Sequence, residues 1–195
     1  VRASEGLVYL NLYNRNILRL HALHETLKNA GRRFVLEPAT AQLYRQFYPS
    51  APLFQYAPLA QDGSLDGAAP VTREEIRKSP ERYVLQLSYA HLLETLDYPP
   101  DGSLYIHSDG MPLGAYDPGF QKLQDFLKQR RIAYVQLSCG GHARPAHLKY
   151  LLEEIAPKTL IPLHSHKPEL LSIPGARQFL PEAGRRYRLE GGSIL

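Results

Sequence analysis

The sequence predicts an α/β protein with a largely parallel sheet covered by helices on both faces. Three observations carry that expectation. Short apolar runs recur along the chain, stretches with apolar residues at helical spacing alternate with them, and glycine or proline punctuates the joins. Strands that are apolar throughout belong in a sheet buried on both sides, as the helices of an α/β fold provide.

Residues 7–11 (Leu-Val-Tyr-Leu-Asn) form the first expected strand. Residues 14–29 then set Ile17, Leu18, Leu20, Leu23 and Leu27 at helical spacing, with Gly31 as the stop. Phe34-Val35-Leu36 is the second strand. A helix over 39–48 ends ahead of Pro49, because proline disfavours helical backbone in the residue before it. Residues 49–70 are rich in proline and glycine and carry a Gln-Asp-Gly turn signal, which predicts an irregular connection with at most a short strand near 53–56. Thr72 ahead of Glu74 and Glu75 reads as an N-cap with acids in the first helical turn. Strands follow over 83–88 and 104–108, separated by an apolar stretch around 92–96 and a turn-rich 98–102. Asp117-Pro118 opens a helix to Arg131, with proline at an early position where its missing donor costs nothing. A strand over 134–138, a helix over 144–155, a strand over 159–163 and two last strands near 178–180 and 187–189 complete the expectation.

Composition narrows the function classes. At 44% hydrophobic and 22% charged residues the chain is too apolar for disorder, and its 195 residues allow one good-sized core or two small ones. No apolar run approaches the ~20 residues needed to span a bilayer. The opening Val-Arg-Ala-Ser-Glu-Gly lacks the apolar centre of a signal peptide, so the cytoplasm is the expected location. A single cysteine, Cys139, excludes an intrachain disulfide and a cysteine-based zinc knuckle, which leaves His, Asp and Glu to hold any metal. Because the first residue is Val and not Met, the chain is expected to be a processed product or a natural or engineered piece of a longer one. The net charge of +4 permits a polyanionic partner. Of its three basic clusters, Arg32-Arg33, 128–131 and 185–188, the first two follow helices, where cations also complement the helix dipole.

In open α/β sheets ligands bind beyond the carboxyl ends of the strands, and three such ends carry histidine. They are His107-Ser108-Asp109-Gly110, Ser138-Cys139-Gly140-Gly141-His142-Ala143 and His164-Ser165-His166. Imidazole is the commonest metal ligand and the natural proton carrier near neutral pH. Elsewhere, His21 and His24 sit at i and i+3 and read as a solvated helix face, and His91 and His147 as helix residues without chemistry. Cys139 reads as an inert, half-buried thiol.

The run 138–143, a helix with Leu148, Leu151 and Leu152, and then Ala-Pro-Lys-Thr-Leu-Ile-Pro-Leu-His over 156–164 resemble the end of the β-CASP branch of the metallo-β-lactamase superfamily, the branch of ribonuclease J-like nucleases. Upstream, 7–16, the Gly31-Arg32-Arg33 turn and 106–114 are similar to earlier segments of that branch, so the resemblance covers about residues 7–171.

The resemblance implies a Rossmann-like β-CASP domain over 1–132 and the C-terminal part of a metallo-β-lactamase αββα sandwich over 133–195. It implies His142 as general acid or phosphate ligand, His164 as a zinc ligand and His166 as a possible alternative ligand. Ser138, Gly140, Gly141, His107 and Ser108 would line the substrate phosphate. The implied cofactor is zinc, two ions in the full-length enzyme, and the implied partners are nucleic acid and an N-terminal metallo-β-lactamase part. That part would carry the His-x-His-x-Asp-His signature, which does not occur in this chain. One ligand cannot hold a zinc ion that takes three or four, so the chain alone is expected to be inactive and to bind zinc weakly. Cys139 and the double glycine depart from the branch's simpler Ser-Gly turn. Two other readings stay open: a non-catalytic nucleic-acid-binding or assembly module, and a metallo-hydrolase of another substrate, since fold does not fix function.

Overall fold

A computed structural model describes residues 4–137, 143–163, 165–190 and 193–194. The chain divides into two compact units, Val1–Cys139 and Gly140–Leu195.

The first unit is built on a seven-stranded sheet. Its strands are β1 (Val8–Leu12), β2 (Arg33–Leu36), β3 (Phe54–Tyr56), β4 (Ala69–Val71), β5 (Tyr83–Gln86), β6 (Leu104–Ser108) and β7 (Ala133–Gln136). They lie in the order β4-β3-β2-β5-β1-β6-β7, and every pairing is parallel. This is a Rossmann-like α/β arrangement, as the apolar, non-alternating strands predict.

Along a strand, successive side chains point to opposite faces. Val8, Leu10 and Leu12 pack with Leu20 and Leu27 of α1 (Ile17–Asn29) and with Ala41 and Tyr44 of α2 (Pro38–Phe47). Tyr9, Leu85 and Tyr105 pack on the other face with Ile76 of α3 (Arg73–Lys78), Leu92 of the 3₁₀ segment Tyr89–Asp97, and Leu123 and Leu127 of α4 (Pro118–Gln129).

Local signals place the helix starts. The Asn16 side chain accepts from Arg19 N at 3.2 Å to cap α1. Thr72 and Glu75 form a reciprocal capping box on α3. Asp117 accepts from Gly119 N at 2.9 Å, with Pro118 in the first turn of α4. At the opposite edge of the sheet, a Cβ on Gly6 would meet the backbone of Gly102 at 2.6 Å, so only glycine allows that approach.

Three features differ from the sequence expectation. Strand β4 arises inside the stretch read as irregular; it is a three-residue edge strand containing Pro70, and an edge is where a sheet tolerates a residue without a donor. Arg32 is buried, donating to the carbonyls of Gly6 (3.2 Å) and Tyr83 (3.4 Å) and also to that of Ser4, so it is a backbone clamp more than a partner of the helix dipole. The strand read as opening the second part is β7, which pairs with β6 and joins the first unit; strand and helix grammar is the same on both sides, so the sequence holds no signal for the border.

The second unit contains α5 (Pro145–Ile155), the parallel pair β8 (Thr159–Leu160) and β9 (Arg177–Gln178), and the antiparallel pair β10 (Leu189–Glu190) and β11 (Ser193–Ile194). Its α5 buries no residue, and Tyr150, Leu151 and Ile155 are exposed. No helix among the described residues is long and apolar enough to cross a membrane.

Candidate functional site

The strand order opens crevices along the carboxyl edge of the first unit's sheet. The chain leaves β1 and β2 through α1 and α2 on one face, and leaves β5 and β6 through the 89–97 segment and α4 on the other. Because the central order is β2-β5-β1-β6, neighbouring connections diverge to opposite faces. Such divergence makes the switch points at which α/β folds bind ligands.

At the β1/β6 crevice, Arg19 reaches from the first turn of α1 across the ends of two other strands. Its Nη1 is 2.5 Å from Asp109 Oδ2, and its Nη2 donates to Ser108 Oγ and, at 3.0 Å, to the Leu137 carbonyl. The Ser108 hydroxyl donates to the same carbonyl at 2.8 Å. Asp109 holds a positive φ of 64°, which Asp tolerates better than most residues. The next residue must be glycine, since a Cβ on Gly110 would stand 1.6 Å from Asn11 Oδ1. Asn11 fills that place and donates to the Met111 carbonyl at 2.6 Å and to Tyr105 Oη at 3.0 Å.

His107, expected beside Ser108 at a phosphate, points to the other face. It is 1% exposed, packs edge-on to Phe120 with ring centroids 5.6 Å apart, and lies against Tyr134. Burial pulls its pKa below the ordinary value, with the Asp109 carboxylate opposing.

His24 behaves alike. The solvated-face expectation for it is corrected, because the ring is buried against Tyr44 and burial lowers its pKa, with Glu25 opposing. Neighbouring His21 stacks on Tyr48 at 3.9 Å, and its Nδ1 lies 2.7 Å from Tyr44 Oη, so the two histidines are held by aromatic rings.

These two buried rings set a pH dependence. With folded pKa values below the unfolded value of about 6.5, the unfolded chain binds more protons, so stability rises with pH in that window. Unfolding free energy is therefore expected to be level above about pH 6.5 and to fall as pH drops below it. Urea unfolding from pH 7.5 down to 5.5 checks this: the His24→Gln and His107→Gln variants should each show a flatter slope, and an unchanged slope in both would contradict it.

The β2/β5 crevice holds a cluster that sequence reasoning missed. Glu37, 6% exposed, directly follows β2 and stands at the N-cap of α2. Its Oε1 accepts from Ser88 N at 2.7 Å and Ser88 Oγ at 2.9 Å, and lies 2.8 Å from His91 Nδ1. Its Oε2 accepts from Gln86 Nε2 at 3.2 Å, while Gln86 Oε1 accepts from Glu37 N at 3.1 Å. The far nitrogen of His91, Nε2, is 3.5 Å from Asp62 Oδ2. His91, read as a helix residue without chemistry, lies in the 3₁₀ segment and bridges two carboxylates. The available signal was an acid directly after an apolar strand and before Pro38.

Of the other residues expected at the site, Ser108 lies in the β1/β6 crevice and His166 is exposed in the second unit. Ser138, Gly140, Gly141, His142 and His164 lie outside the described residues. Among the described residues, no three His, Cys, Asp or Glu side chains come together in a way that could hold a metal ion.

No protein-family model and no curated protein matches the chain. It is similar to a crystal structure of a protein of unknown function from Enterococcus faecalis V583, with a TM-score of 0.76 and 29% sequence identity over 94% of this chain and 41% of that one. The chain thus spans less than half the length of that neighbour.

Proposed function

We propose that this chain is part of a zinc-dependent nuclease or phosphoesterase of the β-CASP branch of the metallo-β-lactamase superfamily, acting on RNA or DNA. The observation that carries the reading is the ordered series Ser-Cys-Gly-Gly-His-Ala, helix, Pro-Lys-Thr-Leu-Ile-Pro-Leu-His over 138–164. Support also comes from a Rossmann-like sheet whose polar residues gather at its carboxyl edge, and from a neighbour more than twice as long. In this reading His142 protonates the leaving oxygen or neutralises charge on the phosphate, and Gly140 and Gly141 offer backbone donors. Ser108 ties the end of β7 through the Leu137 carbonyl. His107 supports α4 from below and touches no substrate. The exposed apolar residues of α5 fit a unit that packs against the remainder of a longer protein, the expected metallo-β-lactamase part. A cytoplasmic location belongs to the same reading, with the single cysteine as its support.

The described residues do not fit a zinc centre, and His164 alone supplies one ligand of the three or four required. The test is a zinc titration of the purified 195-residue chain against a competing chelator. Weak uptake without fixed stoichiometry is expected. Tight binding of one or two ions per chain would overturn the division of ligands between this chain and a missing part.

A further inference from the structure

We infer that His91 is the proton-accepting residue of a second site, at the β2/β5 crevice, where Glu37 orients it and its Nε2 is offered to water or to the hydroxyl of a neutral or cationic substrate. All the residues involved belong to the first unit and lie outside the segment 138–164 that carries the nuclease reading.

The bonding around Glu37 fixes which nitrogen of His91 holds the hydrogen. Glu37 Oε1 accepts from the Ser88 amide at 2.7 Å, and Oε2 accepts from the Gln86 side-chain amide at 3.2 Å. The orientation of that amide is set in turn, because Gln86 Oε1 accepts from Glu37 N at 3.1 Å. Both carboxylate oxygens therefore face groups that can only donate. In the 2.8 Å contact with His91 Nδ1 it is the imidazole that gives the hydrogen. A neutral ring with its hydrogen on Nδ1 keeps a lone pair on Nε2, and a carboxylate on the first nitrogen makes the second more basic.

That second nitrogen is within reach of solvent. About a third of the His91 side chain is exposed, whereas Glu37 is buried. Nε2 stands 3.5 Å from Asp62 Oδ2, longer than the ~2.7–2.9 Å of a charge-assisted hydrogen bond, so its lone pair is not committed there. Asp62 ends the 3₁₀ segment Ala57–Asp62, and the next residue is fixed: Gly63 N donates to the Ala60 carbonyl at 3.1 Å, and the Gly63 carbonyl accepts from Gln55 Nε2 at 3.2 Å. The turn after β2, the end of this segment and the start of the 89–97 segment thus meet around one imidazole at a strand-end crevice.

An imidazole oriented by a buried acid is the arrangement of a general base. The proton passes from an O–H to Nε2, the Nδ1 hydrogen stays in its bond with Glu37, and the oxygen is left as a nucleophile. Asp62 then balances the imidazolium across the 3.5 Å gap. With a carboxylate on each side of the ring, an anionic phosphate is repelled, while water or a neutral or cationic hydroxyl compound is admitted. Glu37 is here a positioning residue.

Diethyl pyrocarbonate tests this on the full 195-residue chain at pH 7.5. Only an imidazole with a free lone pair reacts. The nitrogen attacks a carbonyl carbon, ethyl carbonate departs with the ring's other hydrogen, and it breaks down to carbon dioxide and ethanol. Peptide mapping by mass spectrometry compares His91 with His147 and His166, which are exposed. His91 should react at least as fast as those two despite its partial burial. Glu37→Gln should slow His91 by about tenfold, the factor that one charge-assisted hydrogen bond carries, and leave His147 and His166 unchanged. The urea unfolding midpoint shows whether that variant is folded.

If Glu37→Gln does not fold, the ¹⁵N spectrum of the wild-type ring decides, with His91 assigned by its loss in His91→Gln. A hydrogen on Nδ1 and a bare Nε2 are expected. Hydrogens on both nitrogens, or a His91 that reacts more slowly than His147 and His166, would make the residue a fixed ion pair between two carboxylates and overturn the inference. An unchanged His91 rate in folded Glu37→Gln overturns it as well. Nucleic-acid cleavage enters neither readout, so failure of the nuclease reading and failure of this site are separate results.

Discussion

Glu37→Ala is expected to destabilise the first unit by about 3 kcal/mol, because it leaves donors without an acceptor in a buried site. The carboxylate collects Ser88 N, Ser88 Oγ, Gln86 Nε2 and His91 Nδ1 where β2, β5 and the 89–97 segment converge. Each buried donor stripped of its acceptor costs roughly 1–3 kcal/mol, and the total falls short of a simple sum because water can enter beside the half-buried His91. Glu37→Gln keeps the shape and one acceptor oxygen, so its loss should be smaller. Urea unfolding of the three proteins gives the energies, and hydrogen exchange at the Ser88 amide should accelerate first, because local opening begins where the ladder ends lose their tie. An alanine variant within about 0.5 kcal/mol of wild type, the range of an ordinary surface substitution, would contradict this account.

What was legible in the sequence followed from local physics. The apolar run of β1 and the Asp117-Pro118 opening of α4 each act within a few residues, and both stand where expected. Thr72 declared itself as an N-cap in the same way. Strand β4 stayed hidden because three residues around Pro70 carry no pattern until β3 offers them an edge. The polar clusters at the sheet's carboxyl edge were hidden for another reason: Arg19 and Asp109 are 90 residues apart and Glu37 and His91 are 54 apart, and only the strand order brings them together. Nothing in the runs around His91 or Arg19 announces a distant carboxylate. The separation of His107 from Ser108 was readable, since adjacent strand residues face opposite ways, and grouping them by proximity in sequence overlooked that period. His24 was read from its polar character alone, whereas its spacing to Leu20 and Leu27 places it on the buried side of α1.

The second large effect concerns His142. In the longest natural polypeptide that contains this chain, His142→Ala is expected to lower kcat for phosphodiester cleavage by about 10²–10⁴-fold, the range for losing a general acid or base. KM should change far less, because an imidazole that acts on the leaving oxygen is used mainly in the transition state. His142→Ala should leave the unfolding curve of the 195-residue chain close to wild type, which separates a chemical role from a structural one. A variant of the longer polypeptide that cleaves at the wild-type rate would remove His142 from the chemistry and leave the chain as a binding or assembly module.

The most direct measurement of the central claim is cleavage of a labelled single-stranded RNA and a single-stranded DNA by that longer polypeptide, with zinc supplied or chelated, beside the 195-residue chain alone. The expected result is cleavage of at least one substrate by the longer polypeptide, abolished by the chelator and restored by zinc, with none from the chain alone. Cleavage of neither substrate under any zinc condition, by a longer polypeptide shown to be folded, would contradict the assignment of this chain to a metal-dependent nuclease.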